Sequence, residues 1–352
     1  MPLNTTIVRI DDTSLPAAQD ALASASDILR AGGLVVFPTE TVYGLGGDAT
    51  SAYSSRKIYE AKGRPSDNPL IIHIAYPEDA EQYAVTCPCY ERLAKAFMPG
   101  PLTVILPRRD VIPTETTGGL DTVAVRCPSH PVAHALIKAC GVAIAAPSAN
   151  QSGKPSPTYA PDVIDDMMGR VDMIIDGGTC DIGLESTIVK IEDEDTVTLL
   201  RPGAITYDAL CMVVEHVNVA PAVSERLGEN ERPLSPGMKY RHYAPDAPLV
   251  LLEGDKADVL AFLVRQQAVQ RCAVLCYNEE ISALPDALCY PVGAAEDLVA
   301  QAHSLFRLLR EADRAKPDII YAHLPPKEGL GLALYNRMIR AAAHTVQHIP
   351  SP

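Results

Sequence analysis

The chain has 352 residues, more than one hydrophobic core usually holds, so we expect two domains. Hydrophobic residues make up 47% of the sequence and charged residues 21%, which is ordinary for a globular protein and argues against disorder. The formal net charge of −14 argues against general electrostatic attraction to nucleic acid or another polyanion. Any site for an anionic ligand must therefore be local, built from a few well-placed cations and backbone N–H groups.

The cysteines and the chain termini limit the classes of protein further. The nine cysteines form no CxxC motif and no zinc-like spacing, so we expect reduced thiols. His130 and His134 lie four residues apart on a predicted helix and could share a metal ion. No third ligand lies near them in sequence, so we assign no metal to protein side chains. Without a signal-peptide pattern or an apolar run of ~18 residues, we expect a soluble cytoplasmic protein with no membrane contact.

The first part of the chain, residues 1–204, shows many short apolar runs between helical patterns. Ala18, Leu22, Ala25 and Leu29 recur at helical spacing before the stop signal Gly32-Gly33. Further helices are predicted at 52–61, 90–97 and 130–140. Strands are predicted at 34–37, 70–74, 102–106, 122–126, 142–146, 172–177, 186–191 and 196–200. The acidic run at 192–195 is explained as a solvated hairpin turn. This mixture predicts an α/β domain with a mixed sheet.

From residue 205 the pattern changes twice. Residues 205–247 are predicted to be a linker, because 220–248 are rich in proline and charge and show neither the strand nor the helix period. Met238, Tyr240 and Tyr243 are large for a simple tether. In residues 248–352, strands and helices alternate, which predicts a small parallel, doubly wound, Rossmann-like domain.

The familiar phosphate-binding loops are not found. At Gly153-Lys154 a P-loop fails, because Ser148 stands where glycine is needed and Pro155 where Ser or Thr should bind magnesium. GLGGDA at 44–49 imitates a dinucleotide turn, but PTETVY separates it from the preceding strand. GLGLAL at 329–334 opens a helix too near the chain end for such a site. A serine–histidine–aspartate nucleophile is not recognisable either.

Cations and small polar residues instead occupy loops at the ends of predicted strands, where open α/β sheets bind ligands. Lys62 and Arg64 precede the strand LIIHI, within the turn KGRPSDNP, whose proline restricts the backbone. Arg126 and Arg201 end two further strands. The small polar residues after the strand VAIAA are Ser148, Asn150 and Ser156, with Lys154 among them. Arginine binds carboxylate or phosphate with two parallel donors, and lysine acts as a compact charge. The set predicts a cleft for a multiply charged anion.

Seven sequence blocks carry a family resemblance. They are PTETVYGLG (38–46), KGRPSDNPLIIHI (62–74), FMPGPLTVIL (97–106), VAVRCPSHP (123–131), APSANQSGKPSPT (146–158), ESTIV (185–189) and LLRPG (199–203). In this order they resemble the threonylcarbamoyl-AMP synthase family, whose hallmarks are a KxR pair and an SxN pair. SPGMKYRHYAP (235–245) resembles the longer branch of that family. The resemblance implies a YrdC-like mixed, twisted open sheet with flanking helices, followed by a small Rossmann-like domain.

The resemblance also implies an activity. Such enzymes combine L-threonine, bicarbonate and ATP into threonylcarbamoyl-AMP and pyrophosphate, and a separate transferase moves the threonylcarbamoyl group to tRNA beside the anticodon. Magnesium is expected with ATP, and no organic cofactor. The implied catalytic residues are Lys62, Arg64, Ser148 and Asn150. The implied ATP-binding residues are these four with Ser66, Thr122, Ser156, Arg201 and Tyr243, and the threonine-binding residues are Thr39, His73, Arg126, Ala146 and Ser186. The linker, through Tyr243 and Tyr240, could close over the cleft and exclude water.

Two alternative functions remain open. A non-catalytic RNA-binding or ribosome-associated protein is weakened by the negative charge and by the absence of tryptophan, because RNA modules use basic grooves and stacking rings. We therefore expect no stable nucleic-acid binding. Carbamoyl transfer to another acceptor, as in hydrogenase-maturation proteins with YrdC-like domains, is weakened because no acylphosphatase-like or zinc-finger segment is present.

Overall fold

The computed structural model describes residues 3–225 and 243–351. These residues form two compact units, each with its own sheet. The first unit contains residues 3–152, 156–181 and 185–225, and the second contains 153–155, 182–184 and 243–351. The sequence has no hydrophobic pattern from which the place of the short segments 153–155 and 182–184 in the second unit could be predicted.

The first unit alternates short strands with helices. Its described strands are β1 (Thr6–Arg9), β2 (Val35–Phe37), β3 (Gly44–Asp48), β4 (Ile71–His73), β5 (Leu102–Pro107), β6 (Thr122–Arg126), β7 (Ile144–Ala145), β8 (Met173–Asp176), β9 (Thr187–Ile191), β10 (Thr196–Arg201) and β11 (His216–Val219). Its described helices are α1 (Pro16–Arg30), α2 (Ala52–Lys62), α3 (Ala80–Tyr83), α4 (Pro88–Phe97), α5 (Pro131–Cys140), α6 (Ala160–Met167) and α7 (Tyr207–Cys211). The helix predicted from the spacing of Ala18, Leu22, Ala25 and Leu29 is confirmed as α1, and these four side chains are buried.

The strands of the first unit form one mixed sheet in the order β1-β8-β2-β3-β7-β4-β6-β5-β9-β10-β11. β4 and β6 run parallel, whereas β7 is antiparallel to β4 and β5 is antiparallel to β6. β9 and β10 are antiparallel and joined by the acidic turn at 192–195. This architecture confirms the predicted mixed α/β sheet.

The two faces of this sheet are covered differently. One face packs into a continuous apolar core that includes Ile72, Val104 and Val125. On the opposite face, α1 and α5 pack over the part of the sheet that contains β2, β7 and β8. The neighbouring strands β4, β5, β6 and β9 contribute to that face only a small cluster that includes Ile105 and Ala124. Since side chains alternate along a strand, this part of the face also receives the polar side chains described below.

Several elements were not predicted from the sequence. β1, β3, α6, α7 and β11 lie in segments that showed no clear period. The glycines of GLGGDA lie in β3, which is antiparallel to β2. Position 46 requires glycine because a Cβ there would lie 2.8 Å from the Phe37 ring. Close packing therefore explains that glycine, and a dinucleotide turn is excluded. The start of the predicted linker was also wrong, since α7 and β11 belong to the first unit and β11 pairs with β10.

The second unit is a parallel sheet flanked by helices. Its described strands are β12 (Leu249–Glu253), β13 (Cys272–Cys276), β14 (Leu288–Pro291), β15 (Ile319–His323) and β16 (Val346–His348), and its helices are α8 (Lys256–Gln267), α9 (Leu298–Arg314) and α10 (Gly329–Ala341). The strand order is β14-β13-β15-β12-β16, with parallel pairing throughout. The predicted doubly wound fold is confirmed, and β16 is an additional edge strand.

Some predictions fall outside the described residues. Residues 226–242 contain Met238, Tyr240 and most of the segment predicted to act as a lid, so that prediction is not addressed by the structure. Within residues 3–225 and 243–351, no helix has both the length and the apolar character that crossing a bilayer requires.

Candidate active site

The KxR pair lies where α2 ends and the chain turns towards β4. α2 ends at Lys62 because Gly63 adopts a left-handed conformation with φ of 63°, which favours glycine. Nothing lies within 4 Å of the position that a Cβ would take at Gly63, so the backbone angle rather than space selects this residue. The turn brings both cations into the protein, where Lys62 is 3% and Arg64 7% exposed.

Lys62 joins the KxR and SxN pairs directly. Its Nζ donates to the backbone oxygens of Ser148 (2.7 Å) and Asn150 (2.8 Å) and to Asn150 Oδ1 (2.9 Å). Ser148 Oγ donates to the same Asn150 Oδ1 at 2.6 Å. A buried ammonium group is tolerated when oxygen acceptors surround it, so Lys62 fixes the backbone of the loop after β7. Lys62 of the KxR pair and both residues of the SxN pair, far apart in sequence, thus form one cluster, which we call the lysine cluster (Lys62, Ser148 and Asn150).

Arg64 is held by its own turn. Its Nη2 donates to the backbone oxygens of Pro69 (3.0 Å) and Asn68 (3.3 Å). These contacts immobilise the guanidinium before any ligand arrives, which reduces the entropy lost on binding. Ser66, in the same turn, is exposed.

A second group of predicted residues gathers at the ends of β9 and β10. Arg201 Nε donates to the backbone oxygen of Ser186, and Arg201 Nη2 donates to Ser186 Oγ, both at 3.0 Å. Ser186 Oγ also lies 2.7 Å from Thr103 Oγ1. Ser156 Oγ donates to Glu185 Oε1 at 2.5 Å, so the loop that begins at Ser148 reaches the residue beside Ser186. Thr103 was not named from the sequence, where it reads as an ordinary strand residue.

His73, Arg126 and Thr103 meet across three neighbouring strands. Arg126 pairs in register with His73 on β4 and with Thr103 on β5, so the three side chains point to the same face. Arg126 Nη2 lies 2.8 Å from Glu40 Oε1, and the two side chains are 5% and 6% exposed. Glu40 was missed from the sequence, although its place in PTETVYG, three residues after β2, was a usable signal.

His73 is uncharged in this environment. Burial, reinforced by the positive charge of Arg126, lowers its pKa to about 3. Its Nδ1 is buried and has no hydrogen-bond partner in the parts of the chain that the structure describes. A neutral imidazole with an unused nitrogen can donate to or accept from a ligand hydroxyl.

The other predicted residues have local partners. Thr39 Oγ1 donates to the backbone oxygen of Val42 at 2.6 Å and accepts from the Val42 N–H, so this side chain fixes its own turn. The Ala146 N–H donates to the backbone oxygen of Ile71. Thr122 is half-buried and lies four residues before Arg126 on β6, about 13 Å away along a strand. Tyr243 belongs to the second unit, where its ring stacks on Phe306 with centroids 5.1 Å apart. The ligand roles of these four residues stay predictions.

The acidic and imidazole side chains do not assemble into an obvious metal centre. Over residues 3–225 and 243–351, no group of three His, Cys, Asp or Glu side chains has the arrangement to hold an ion. His130 Nδ1 instead accepts a hydrogen bond from the Val132 N–H at the start of α5, and His134 packs edge-on against Tyr76.

Comparison with known proteins identifies the family. Residues 27–203 match the family described as "Telomere recombination", and residues 205–343 match the family described as "Threonylcarbamoyl-AMP synthase, C-terminal domain". The chain is 45% identical over 330 residues to the threonylcarbamoyl-AMP synthase of Bacillus subtilis (strain 168), with 92% of this chain and 94% of the relative aligned. It is 43% identical over 332 residues to that of Pyrococcus abyssi (strain GE5 / Orsay), with the same coverage.

A solved structure agrees with these sequence matches. P. abyssi Sua5 complexed with L-threonine superposes with a TM-score of 0.88 at 39% identity, covering 98% of this chain and 100% of the other. The matches confirm the resemblance carried by the seven sequence blocks and the threonylcarbamoyl-AMP synthase function predicted from it. The chain belongs to the threonylcarbamoyl-AMP synthase family.

Proposed function

We propose that this chain forms threonylcarbamoyl-AMP and pyrophosphate from L-threonine, bicarbonate and ATP, as a nucleotidyltransferase. The observation that carries the proposal is the direct contact of Lys62 with Ser148 and Asn150, which joins the lysine of one hallmark pair to both residues of the other. Lys62, Arg64 and Arg201 are buried cations, which suit a polyphosphate, and the net charge of −14 does not oppose so local a site.

The chemistry requires two bond-forming steps. The threonine ammonium group first loses a proton. The resulting amine attacks the carbon of bicarbonate and water leaves, which gives a carbamate. A carbamate oxygen then attacks the α-phosphorus of ATP, and the bond from that phosphorus to the β-phosphate oxygen breaks to release pyrophosphate. Such transfers depend mainly on positioning and on charges aimed at the developing anion.

The residue roles follow from charge and location. We assign Lys62, Arg64, Ser148 and Asn150 to the triphosphate, with Ser66, Thr122, Ser156, Arg201 and Tyr243 as further nucleotide contacts. Arg126 takes the threonine carboxylate, since guanidinium groups bind carboxylates through two parallel donors. Neutral His73, whose Nδ1 makes no hydrogen bond to any described residue, suits the threonine hydroxyl. Thr39, Ala146 and Ser186 complete the amino-acid end.

Magnesium fits as an ion that arrives with ATP. Because no three-ligand acidic or imidazole group occurs in the described parts of the chain, phosphate oxygens and water would supply most of its ligands. When bound, the ion would neutralise phosphate charge. We assign no organic cofactor.

We propose that this reaction precedes the transfer of the threonylcarbamoyl group to tRNA. Threonylcarbamoyl-AMP is a mixed anhydride and therefore an acyl donor. As the family resemblance implies, we propose that a separate transferase moves its threonylcarbamoyl group to an adenosine of tRNA. We propose that this occurs in the cytoplasm, where tRNA is the acceptor, and that the chain itself forms no stable complex with nucleic acid.

The test measures threonine-dependent turnover. Purified protein is incubated with ATP, magnesium and bicarbonate, with and without threonine, and pyrophosphate is measured while the nucleotide product is identified by mass spectrometry. The proposal expects pyrophosphate release that needs threonine and bicarbonate. Tight RNA binding without turnover would instead favour the RNA-binding alternative. The variant Lys62→Ala, purified in the same way, controls for contaminating ATP-consuming enzymes.

A further inference from the structure

The ion pair between Glu40 and Arg126 is unusual in its burial. The two side chains are about 95% buried, and Arg126 Nη2 lies 2.8 Å from Glu40 Oε1. Removing two charges from water is costly, and a close contact alone rarely compensates for that cost. The desolvation cost of a buried pair is offset only when further hydrogen bonds satisfy both partners.

Those further hydrogen bonds are missing here. Neither Glu40 oxygen makes a hydrogen bond within the described residues, and Arg126 Nη2 makes none either. Arg126 Nε has only a long contact of 3.4 Å with the backbone oxygen of Gly100. The two charges touch without the geometry of a hydrogen bond, and most of their bonding capacity is unused. Such an arrangement suits a ligand that supplies both missing partners.

An α-amino acid is such a ligand, because it carries a carboxylate and an ammonium group on one carbon. We propose that Glu40 binds the α-ammonium group of threonine while Arg126 binds its carboxylate. This inference rests on the proposed function, which assigns Arg126 to the threonine carboxylate, and it adds an acidic residue outside the set that the family resemblance implied. The pair would then select the zwitterion over acids that lack the amino group.

The surrounding backbone holds Glu40 in position. Thr39 Oγ1 accepts from the N–H groups of Thr41 and Val42 at 3.2 Å and donates to the Val42 oxygen at 2.6 Å. These bonds close a tight turn around Glu40, so its backbone is fixed on both sides. A carboxylate held in this way loses little entropy on binding an ammonium group.

Two neighbours of Glu40, Cys127 and His130, carry no charge that would compete for its carboxylate. Burial raises the pKa of the Cys127 thiol to about 12 and lowers the pKa of His130, so both side chains are uncharged at neutral pH. Arg126 is the cation in contact with Glu40. The Glu40 carboxylate is thus paired with one guanidinium group that the threonine carboxylate would itself engage.

Binding measurements without turnover test the proposal. Calorimetric titration of wild-type protein and Glu40→Gln is carried out with threonine and with its deamino analogue, which keeps the carboxylate and the hydroxyl. Glu40→Gln preserves size and removes the charge. We expect it to weaken threonine binding by about 10- to 100-fold, the worth of a charge-assisted hydrogen bond, and to leave binding of the deamino analogue unchanged or tighter. Glu192→Gln, which breaks the surface pair with Lys190, is the matched control and should change neither affinity.

Two outcomes would overturn the assignment. Equal weakening of both ligands would mean that Glu40 only positions Arg126. Tighter threonine binding by Glu40→Gln would mean that Glu40 competes with the substrate carboxylate. Circular dichroism and the affinity for ATP monitor folding, and Glu40→Asp gives a second, charge-preserving variant that should retain the preference for threonine over the deamino analogue. Failure of wild-type protein to bind threonine at all would count against the proposed function, and is a separate result.

Discussion

The lysine cluster and the Arg126–Glu40 pair are both buried charged groups in one unit, but they are satisfied in opposite ways. Lys62 donates to three oxygens of the loop after β7, so its charge is already used to shape the protein. Arg126 Nη2 and both Glu40 oxygens make no hydrogen bond within residues 3–225 and 243–351. The chain by itself organises the lysine cluster, whereas under our proposal a ligand supplies the missing hydrogen bonds of the Arg126–Glu40 pair. Substitutions in the lysine cluster should therefore disturb the loop, and substitutions in the pair should disturb affinity.

The largest effect is expected for Lys62→Ala. It removes the cation assigned to the triphosphate and leaves the carbonyl oxygens of Ser148 and Asn150 without their donor. We expect kcat/KM to fall by about 100-fold or more, measured as threonine-dependent pyrophosphate release. Lys57→Ala, on the same helix, is the control and should retain activity. Wild-type turnover in Lys62→Ala would contradict the nucleotide assignment.

Arg126→Lys should separate the two substrates. A lysine keeps the charge but loses the two-pronged geometry that a carboxylate prefers. We expect the KM for threonine to rise by about 10- to 100-fold and the KM for ATP to change much less, in steady-state assays that vary each substrate. Arg92→Lys, an exposed pair with Asp195, is the control. If both KM values rose equally, Arg126 would not be the carboxylate site.

The lowered pKa of His73 should make the free energy of unfolding depend on pH. Its folded pKa of about 3 lies below its ordinary value of 6.5, so the unfolded chain binds a proton between these values that the folded chain does not. The free energy of unfolding contributed by neutral His73 is therefore present above pH 6.5 and is lost as the pH falls towards 3. Between about pH 7 and about pH 5 the loss should be about 1–2 kcal/mol.

Urea unfolding of wild-type protein and His73→Asn at both pH values measures this loss. The variant should lose about 1–2 kcal/mol less on acidification. His216→Asn, in which the replaced ring is mostly exposed, should behave like the wild type. Identical pH dependence in wild type and His73→Asn would show that His73 is not held neutral by burial.

The smallest effect is expected for Ser66→Ala. Ser66 is exposed in the turn between α2 and β4, so water replaces any hydrogen bond that its hydroxyl makes to ATP. We expect the KM for ATP to rise by about 3-fold, with the threonine KM unchanged. An effect as large as that of Lys62→Ala would mean that the turn becomes buried when nucleotide binds.

Much of the fold could be predicted from the sequence because short apolar runs and helical spacing are local signals. α1, β4 and the alternation in the second unit were predicted close to their bounds. β3 was missed because its glycines carry no strand period, and they are selected instead by the close approach of the Phe37 ring. β11 was missed because an edge strand with mostly exposed side chains looks like a linker.

The sequence by itself determined the family, through seven ordered blocks that also contain the candidate cations and hydroxyls. It placed Arg126 and Arg201 at the ends of two strands, where the structure has them. Only the tertiary structure decided that Lys62 donates hydrogen bonds to Ser148 and Asn150, and that Glu40 forms an ion pair with Arg126. Such pairs join segments more than eighty residues apart, and their distance depends on strand order and register in the sheet, which no local pattern encodes.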